Sequence, residues 1–117
     1  MNVFYLKLLQ TILHYTLHLV APAGIAWYFY RNDWKRVLFV LIATMLVDLD
    51  HLLATPILDP TRCSIGFHPL HSYVAVSVYA VIFSTTNNKW VKIITLGLLF
   101  HMFTDFIDCV INHQLIK

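Results

Sequence analysis

The sequence predicts an all-α fold, a four-helix antiparallel (up-down) bundle that is integral to a membrane. The 117 residues are 59% hydrophobic and only 12% charged, a composition far too apolar for a soluble domain of this size. The apolar residues form four runs, and a helix needs ~20 residues to cross the ~30 Å of hydrocarbon in a bilayer. Because short connections separate the runs, consecutive helices should be antiparallel neighbours.

The four runs define four predicted spanning helices in a single domain, residues 1–117. They cover approximately residues 8–30, 37–56, 69–84 and 91–113. Pro56 should end the second helix, and Pro69 suits the first turn of the third. Within the first helix Pro22 removes a backbone donor, so a kink is expected near His18.

The positions of lysine and arginine predict the orientation of the bundle. The two connections on one side hold Arg31, Lys35, Arg36, Lys89 and Lys92, whereas the other side has only Lys7, Arg62 and Lys117. Because cytoplasmic loops are enriched in these residues, both termini are expected on the non-cytoplasmic side. The net charge of +2 is small and the basic residues fall in short clusters, which argues against nucleic-acid binding.

The segment Val47-Asp48-Leu49-Asp50-His51 places acids at the end of an apolar run. An Asp in the middle of a spanning helix costs ~2.5–3.5 kcal/mol on insertion scales, and such residues usually face a cavity and mark function. Asp48 and His51, three residues apart, share one helix face. Asp50 is expected to point away from that face unless the helix unwinds there.

Ionisable side chains on the other helices are expected to meet this segment. They are His14 and His18 in the first helix, His68 and His71 at the start of the third, and His101, Asp105 and Asp108 in the fourth. With a rise of ~1.5 Å per residue, His18 reaches the level of His101, and His14 that of Asp105. All four helices therefore bring ionisable groups to the non-cytoplasmic half.

Converging imidazoles and carboxylates predict a divalent metal site, because a cation neutralises buried acids and these ligands suit zinc, iron or manganese. Zinc, as one or two ions, is the expected metal. Asp50 is a candidate general base or bridging ligand, and His51 a ligand or proton donor. The predicted metal ligands are His14, His18, Asp48, Asp50, His51, His68, His71, His101 and Asp105.

Two other functions use similar residues. Buried Asp and His also build ion paths, so a divalent-metal or proton transport element is an alternative. The almost wholly apolar stretches 37–44 and 93–100 of the cytoplasmic half favour a closed pocket over a channel. His18 and His101 at equal depth would suit a bis-His haem, which the neighbouring acids oppose.

The two cysteines cannot form a metal-binding CxxC pair, since they are Cys63 and Cys109. The topology places both on the non-cytoplasmic side, where an oxidising compartment permits a disulfide. Two free thiols are the alternative. The sequence sets no oligomeric state.

At these residues the chain resembles a small uncharacterised family of bacterial membrane proteins and, more distantly, the predicted inner-membrane metal-dependent hydrolases of the YdjM type. The motifs are Leu17-His18, Val47-Asp48-Leu49-Asp50-His51, Phe67-His68-Pro69-Leu70-His71-Ser72 and His101-Met102-Phe103-Thr104-Asp105. The wider family has H-R-x-x-T-H-S as its third motif, whereas here Pro69-Leu70 replace the longer spacer and its Arg. A remote resemblance to zinc phospholipase C and P1-type nucleases follows from the same His and Asp pattern.

The resemblance implies an enzyme of the bacterial inner (plasma) membrane whose site opens to the non-cytoplasmic side. It implies a metal-dependent hydrolase that cleaves an ester or phosphoester of a lipidic substrate. In such enzymes the metal lowers the pKa of water toward ~7 and polarises the scissile oxygen. The expected partners are the lipid bilayer and this substrate.

Overall fold

The structure is a computed structural model that describes residues 2–57, 59 and 62–116, and every regular element in these ranges is helical. The all-α prediction is confirmed. Five residues lie outside the described ranges, namely Met1, Leu58, Pro60, Thr61 and Lys117. Lys117 is one of the basic residues from which the orientation was predicted. The elements are α1 (Val3–Tyr15), a π-helical turn (Thr16–Val20), α2 (Ala21–Phe29), α3 (Trp34–Ala43), a 3₁₀ helix (Thr44–Leu53), a 3₁₀ turn (Pro69–His71), α4 (Tyr73–Thr85) and α5 (Lys89–Ile116).

The first helical unit is continuous from residue 3 to residue 29, with the π-helical turn in its middle. The Ala21 N–H donates to the Thr16 carbonyl, five residues back, which widens the helix there. Pro22 follows directly and has no N–H to bond the His18 carbonyl. The irregularity predicted near His18 therefore takes the form of a π-helical turn that contains His18 itself.

The second unit departs from the predicted continuous helix over 37–56. It begins earlier, at Trp34, and after Ala43 it tightens into the 3₁₀ helix Thr44–Leu53. The buried side chains of this part are Thr44, Val47 and Asp50, spaced by three residues, as the 3.0 residues per turn of a 3₁₀ helix requires. Side chains two residues apart point about 160° away from each other around the axis of an α-helix, but only about 120° in a 3₁₀ helix. Asp50 is therefore buried, whereas it was expected to point away from the face of Asp48.

The third and fourth units also differ from their predicted limits. Pro69 starts a separate 3₁₀ turn, and α4 begins only at Tyr73, where the Ser72 hydroxyl accepts from the Ala75 N–H at 3.1 Å. The last helix, predicted over 91–113, runs from Lys89 to Ile116. Its first turn is capped by Asn88 Oδ1, which accepts from the Trp90 and Val91 N–H groups.

The helical units run alternately up and down. Gln10 of α1 donates to Asn112 Oδ1 near the end of α5 at 3.0 Å, whereas at the opposite end Lys89 Nζ lies 2.7 Å from Asp33 Oδ2. The second contact joins the two connections that are rich in basic residues. Near that end the apolar core consists of Ala26, Val37, Leu41 and Ile93.

The distribution of polarity is inverted relative to a soluble protein. Nine polar or ionisable residues of the described chain are buried, namely His18, Thr44, Asp50, His68, His71, Thr95, His101, Thr104 and Asp105, against six buried hydrophobic residues. Large apolar side chains face outward instead, for example Phe39, Leu53 and Val74, each exposed by at least 75%. Within the described residues the segment Lys89–Gln114 is the one helix long and apolar enough, by length and composition, to cross a membrane.

Candidate metal centre

Four side-chain atoms from three parts of the chain converge on one point in the polar half of the bundle. They are Asp48 Oδ1 of the 3₁₀ helix, His71 Nε2 of the 3₁₀ turn, and His101 Nε2 and Asp105 Oδ2 of α5. The Asp105 oxygen lies 3.0 Å from His71 and 3.2 Å from His101. The Asp48 oxygen lies 3.3 Å and 3.1 Å from the same two nitrogens. The two nitrogens are 3.4 Å apart.

These separations match the edges of a metal coordination tetrahedron. Ligands held about 2.0–2.1 Å from a zinc ion at tetrahedral angles lie about 3.3–3.4 Å from one another. Hydrogen bonds account for the cluster less well, because each Nε2 faces two carboxylate oxygens and a second imidazole nitrogen while it can carry at most one proton. The donor set of two imidazoles and two carboxylates fits a divalent cation.

Asp50 contacts His71 at Nδ1, the ring nitrogen that does not belong to the group of four ligand atoms. Its Oδ2 accepts from the Leu70 N–H at 2.9 Å and lies 2.9 Å from His71 Nδ1, and its Oδ1 lies 3.1 Å from His51 Nδ1. An ionised carboxylate only accepts, so this contact favours the His71 tautomer with its proton on Nδ1 and with Nε2 facing the ligand group. A carboxylate behind a histidine ligand is the usual way in which proteins fix the ring and raise its basicity.

Replacing Asp50 by asparagine is expected to weaken zinc binding by about 10–100-fold, the range typical of such outer partners. Asparagine keeps the size of the side chain, but one of its two oxygens becomes an NH₂ donor and can no longer accept from His51 or His71. Zinc competition with a fluorescent chelator measures the effect. Asn88→Asp, at the opposite end of the bundle, is the control and should leave the affinity unchanged; an Asp50→Asn affinity equal to wild type would refute the supporting role.

A second group shares Asp105 with the first. His14, His18 and Asp105 offer ligand atoms that all lie within 4.8 Å of one another. His18 Nε2 is 3.5 Å from Asp105 Oδ1, the oxygen that the first group leaves free, and the His18 ring lies 4.5 Å from that of His101. His14 Nδ1 is 3.7 Å from Asp108 Oδ1. The helical rise predicted that His18 and His101 lie at the same depth in the bundle, and their rings are in contact.

The remaining predicted residues, His51 and His68, lie on the other side of Asp50. His51 belongs to a third group of possible ligands with Asp50 and His71, and its Nε2 lies 3.3 Å from Ser64 Oγ. The buried His68 ring stacks on His51 with centroids 3.9 Å apart. Burial, and secondarily the neighbouring His51, lower the pKa of His68. None of the three groups found among the described residues includes His68, whose ligand role stays a prediction.

A cleft of about 240 Å³ borders these two histidines, and its lining residues are His51, Ile57, Asp59, Arg62, Ser64, His68 and Asp108. The Arg62 side chain is mostly covered: it donates to the Pro56 carbonyl at 2.9 Å and lies over the Phe67 ring at 4.6 Å. His51 Nδ1 is 3.6 Å from Asp48 Oδ1, so the cleft reaches the edge of the first ligand group. It presents the Arg62 guanidinium, the Ser64 hydroxyl and the His51 imidazole together with the carboxylates of Asp59 and Asp108. The Asp59 carboxylate lies 3.9 Å from the Arg62 guanidinium.

A close contact between two helices and a disulfide hold the site together. Gly97 lies one turn below His101 and faces Thr44, and a Cβ there would come within 2.8 Å of two Thr44 atoms, so glycine permits α5 to approach the 3₁₀ helix closely. A disulfide joins Cys63 to Cys109 with their Cα atoms 5.0 Å apart. It fixes the loop that carries Ser64 against α5, and it settles the cysteine alternatives in favour of the bridge.

Three polar residues of the site region were not among the predicted ones. Gln10 Nε2 donates to Asp108 Oδ1 at 2.7 Å and to Asn112, and Ser64 contacts His51. Gln10 lies four residues before His14, and Asn112 four after Asp108, so both extend stripes already visible in the sequence. No periodicity signals Ser64, because it belongs to a loop.

Comparison with known proteins identifies one family. The model of a family of unknown function, DUF6122, matches residues 8–112 of the chain. The chain therefore belongs to this family, and the matched region contains every residue of the three ligand groups. No curated protein and no solved structure matches the chain.

Proposed function

We propose that this member of the DUF6122 family is an integral membrane hydrolase that uses zinc to cleave an ester or phosphoester of a lipidic substrate. The main support is the cluster of ligand atoms that Asp48, His71, His101 and Asp105 bring to within 4.8 Å of one another. The resemblance to YdjM-type hydrolases supports the reaction class. Iron or manganese would suit the same nitrogen and oxygen donors.

The inverted polarity supports insertion in a bilayer, since outward apolar side chains and buried ionisable ones are what hydrocarbon solvent demands. If α1, the π-helical turn and α2 cross the bilayer as one unit, residues 3–29 would form a second span, because ~20 residues suffice. The disulfide supports a non-cytoplasmic position of the site, as such bonds persist in oxidising compartments. The basic connections at the opposite end would then face the cytoplasm of a bacterial cell.

A pocket explains the arrangement better than an ion path. The half of the bundle beyond the ligand groups is filled by Ala26, Val37, Leu41 and Ile93, three of which are exposed by less than 1%. A transport path would need polar groups to continue through this half. The buried polar residues described in this half, Thr44 and Thr95, donate their hydroxyl hydrogen bonds to backbone carbonyls of their own helical units, and no buried Asp or His is described there.

In the proposed reaction a bound divalent cation supplies Lewis-acid chemistry, lowering the pKa of water and polarising the scissile oxygen. Asp50 keeps the Nδ1 proton on His51, whose Nδ1 also lies 3.0 Å from the Asp48 carbonyl. This leaves His51 Nε2, at the edge of the cleft, free to accept a proton and later to donate it to the leaving group. Asp50 therefore acts through two histidines and not as the base itself.

An anionic ester would bind at the one guanidinium of this cleft, in place of the Asp59 carboxylate that lies 3.9 Å from it. The third motif lacks the Arg of the wider family, but Arg62 from the preceding loop lines the same cleft as His51 and Ser64. A guanidinium there can bind a phosphoester oxygen with its paired N–H groups. Outward apolar surfaces beside the cleft, such as Leu52 and Leu53, each exposed by more than 60%, would contact the acyl chains of a membrane lipid.

The test is hydrolysis by the purified chain in lipid nanodiscs, with one chromogenic phosphodiester and one chromogenic carboxylic ester as substrates. We expect turnover that a chelator abolishes and added zinc restores, and that His101→Ala lacks. Asp33→Asn, whose carboxylate lies at the other end of the bundle, is the control and should retain full activity. Zinc-loaded protein that hydrolyses neither ester would refute the hydrolase; a metal-independent activity would refute the role of zinc.

A further inference from the structure

The geometry points to a second divalent cation, held by His14, His18 and Asp105, so that the centre is binuclear with Asp105 as the shared ligand. This inference rests on the proposed metal centre and extends it. The two groups have separate nitrogen ligands: His71 and His101 serve the first, and His14 and His18 the second. Only the Asp105 carboxylate belongs to both.

Asp105 divides its oxygens between the two groups. Oδ2 lies 3.0–3.2 Å from His71 and His101, and Oδ1 lies 3.5 Å from His18 Nε2. A carboxylate with one oxygen in each of two ligand sets is the bridging ligand of two-metal sites, which clamp the attacking and leaving oxygens of a displacement. Asp105 is buried, so its ionised form needs a paired cation or hydrogen-bond donors.

Neither His18 nor His14 has a short hydrogen bond to a carboxylate in the described part of the chain. The His18–Asp105 pair at 3.5 Å is at the outer limit of a hydrogen bond, and the His14–Asp108 pair at 3.7 Å is beyond it. His14 Nδ1 is buried and has no hydrogen-bond partner among the described residues. A buried imidazole nitrogen normally has a partner, and a bound cation would supply one to His14; His101 Nδ1 is likewise buried without a partner in the described ranges.

A cleft gives access to the second group, and an irregular helical turn carries one of its histidines. A polar cleft of about 260 Å³ reaches His14 and Asp108, and its lining residues are Lys7, Gln10, Thr11, His14, Tyr15, Asp108 and Asn112. His18 belongs to the π-helical turn, and such turns in helices frequently occur at functional sites. The chemical class of the ligand is a divalent cation that prefers nitrogen and oxygen donors, with zinc as the probe.

The experiment measures zinc bound per chain by mass spectrometry of purified protein after equilibration with zinc and removal of the excess. We expect two zinc ions per wild-type chain, and one in His14→Ala and in His14→Gln, because the first group does not involve His14. His113→Ala, an exposed histidine of α5, is the matched control and should keep both ions. Circular dichroism verifies that each variant is folded.

The outcomes separate the two proposals. No bound zinc in folded wild-type protein would overturn the metal centre altogether. One ion in wild type would overturn the second site and leave the first intact. Two ions in both His14 variants would overturn the assignment of the second ion to this group.

Discussion

Zinc affinity is expected to fall by about two to three and a half powers of ten when Asp105 is replaced by asparagine. The carboxylate lies among His18, His71 and His101, and its residue is only 8% exposed. Removing one partner of a buried, paired charge typically costs about 3–5 kcal/mol, which corresponds to this change in affinity. Competition with a chelator of known affinity measures it.

Asp33→Asn serves as the matched control, since Asp33 is an exposed acid paired with Lys89 at the other end of the bundle. It should bind zinc like wild type. An Asp105→Asn variant that is folded and keeps wild-type affinity would contradict the central position of Asp105. A loss of the same size in both variants would indicate a general effect of charge and not a ligand.

Loss of the disulfide is expected to destabilise the protein by roughly 4 kcal/mol. Cys63 and Cys109 are separated by 46 residues in sequence, and closure of a loop of this length restricts the unfolded chain by about that amount. The melting temperature in detergent should therefore drop by more than ~10 °C in the Cys63→Ser/Cys109→Ser double variant. None of the four closest ligand atoms belongs to a cysteine or to the loop that the bridge ties to α5, so zinc binding at low temperature should persist.

Reductant provides the control for this prediction. Wild type treated with dithiothreitol should melt like the double variant, whereas the variant itself should not respond. Identical melting of oxidised and reduced wild type would show that the bridge contributes nothing. Thiols that alkylate in the untreated wild type would show that the bridge is absent from the protein.

Much of the site could be predicted from spacing along regular helices. The rise per residue is nearly constant in an α-helix, so the levels of His18 and His101 follow once the two helices are known to be antiparallel. The same regularity places Asp105 one turn beyond His101. Helix pattern also predicts the all-α fold, because a long apolar run specifies a helix before any partner is known.

Other features depend on contacts between distant parts of the chain. Asp50 was expected to point away from the site because the prediction assumed α-helical periodicity. In the structure the segment is a 3₁₀ helix, which buries Asp50, and the buried carboxylate contacts the Leu70 N–H and His71 Nδ1. Such tertiary contacts override local periodicity and leave no mark in a single segment. Ser64 and Arg62 reach the site from a loop that the disulfide holds, and loop geometry has no period to be recognised.

X-ray absorption at the zinc K edge of the zinc-loaded protein tests the metal centre most directly. We expect only nitrogen and oxygen neighbours at about 2.0–2.1 Å, with the scattering of imidazole rings, as Asp48, His71, His101 and Asp105 provide. A His71→Ala/His101→Ala double variant should lose the imidazole scattering of this group and keep only that of His14 and His18 at the second site. Sulfur neighbours near 2.3 Å, or a folded protein that takes up no zinc, would contradict the proposed metal centre.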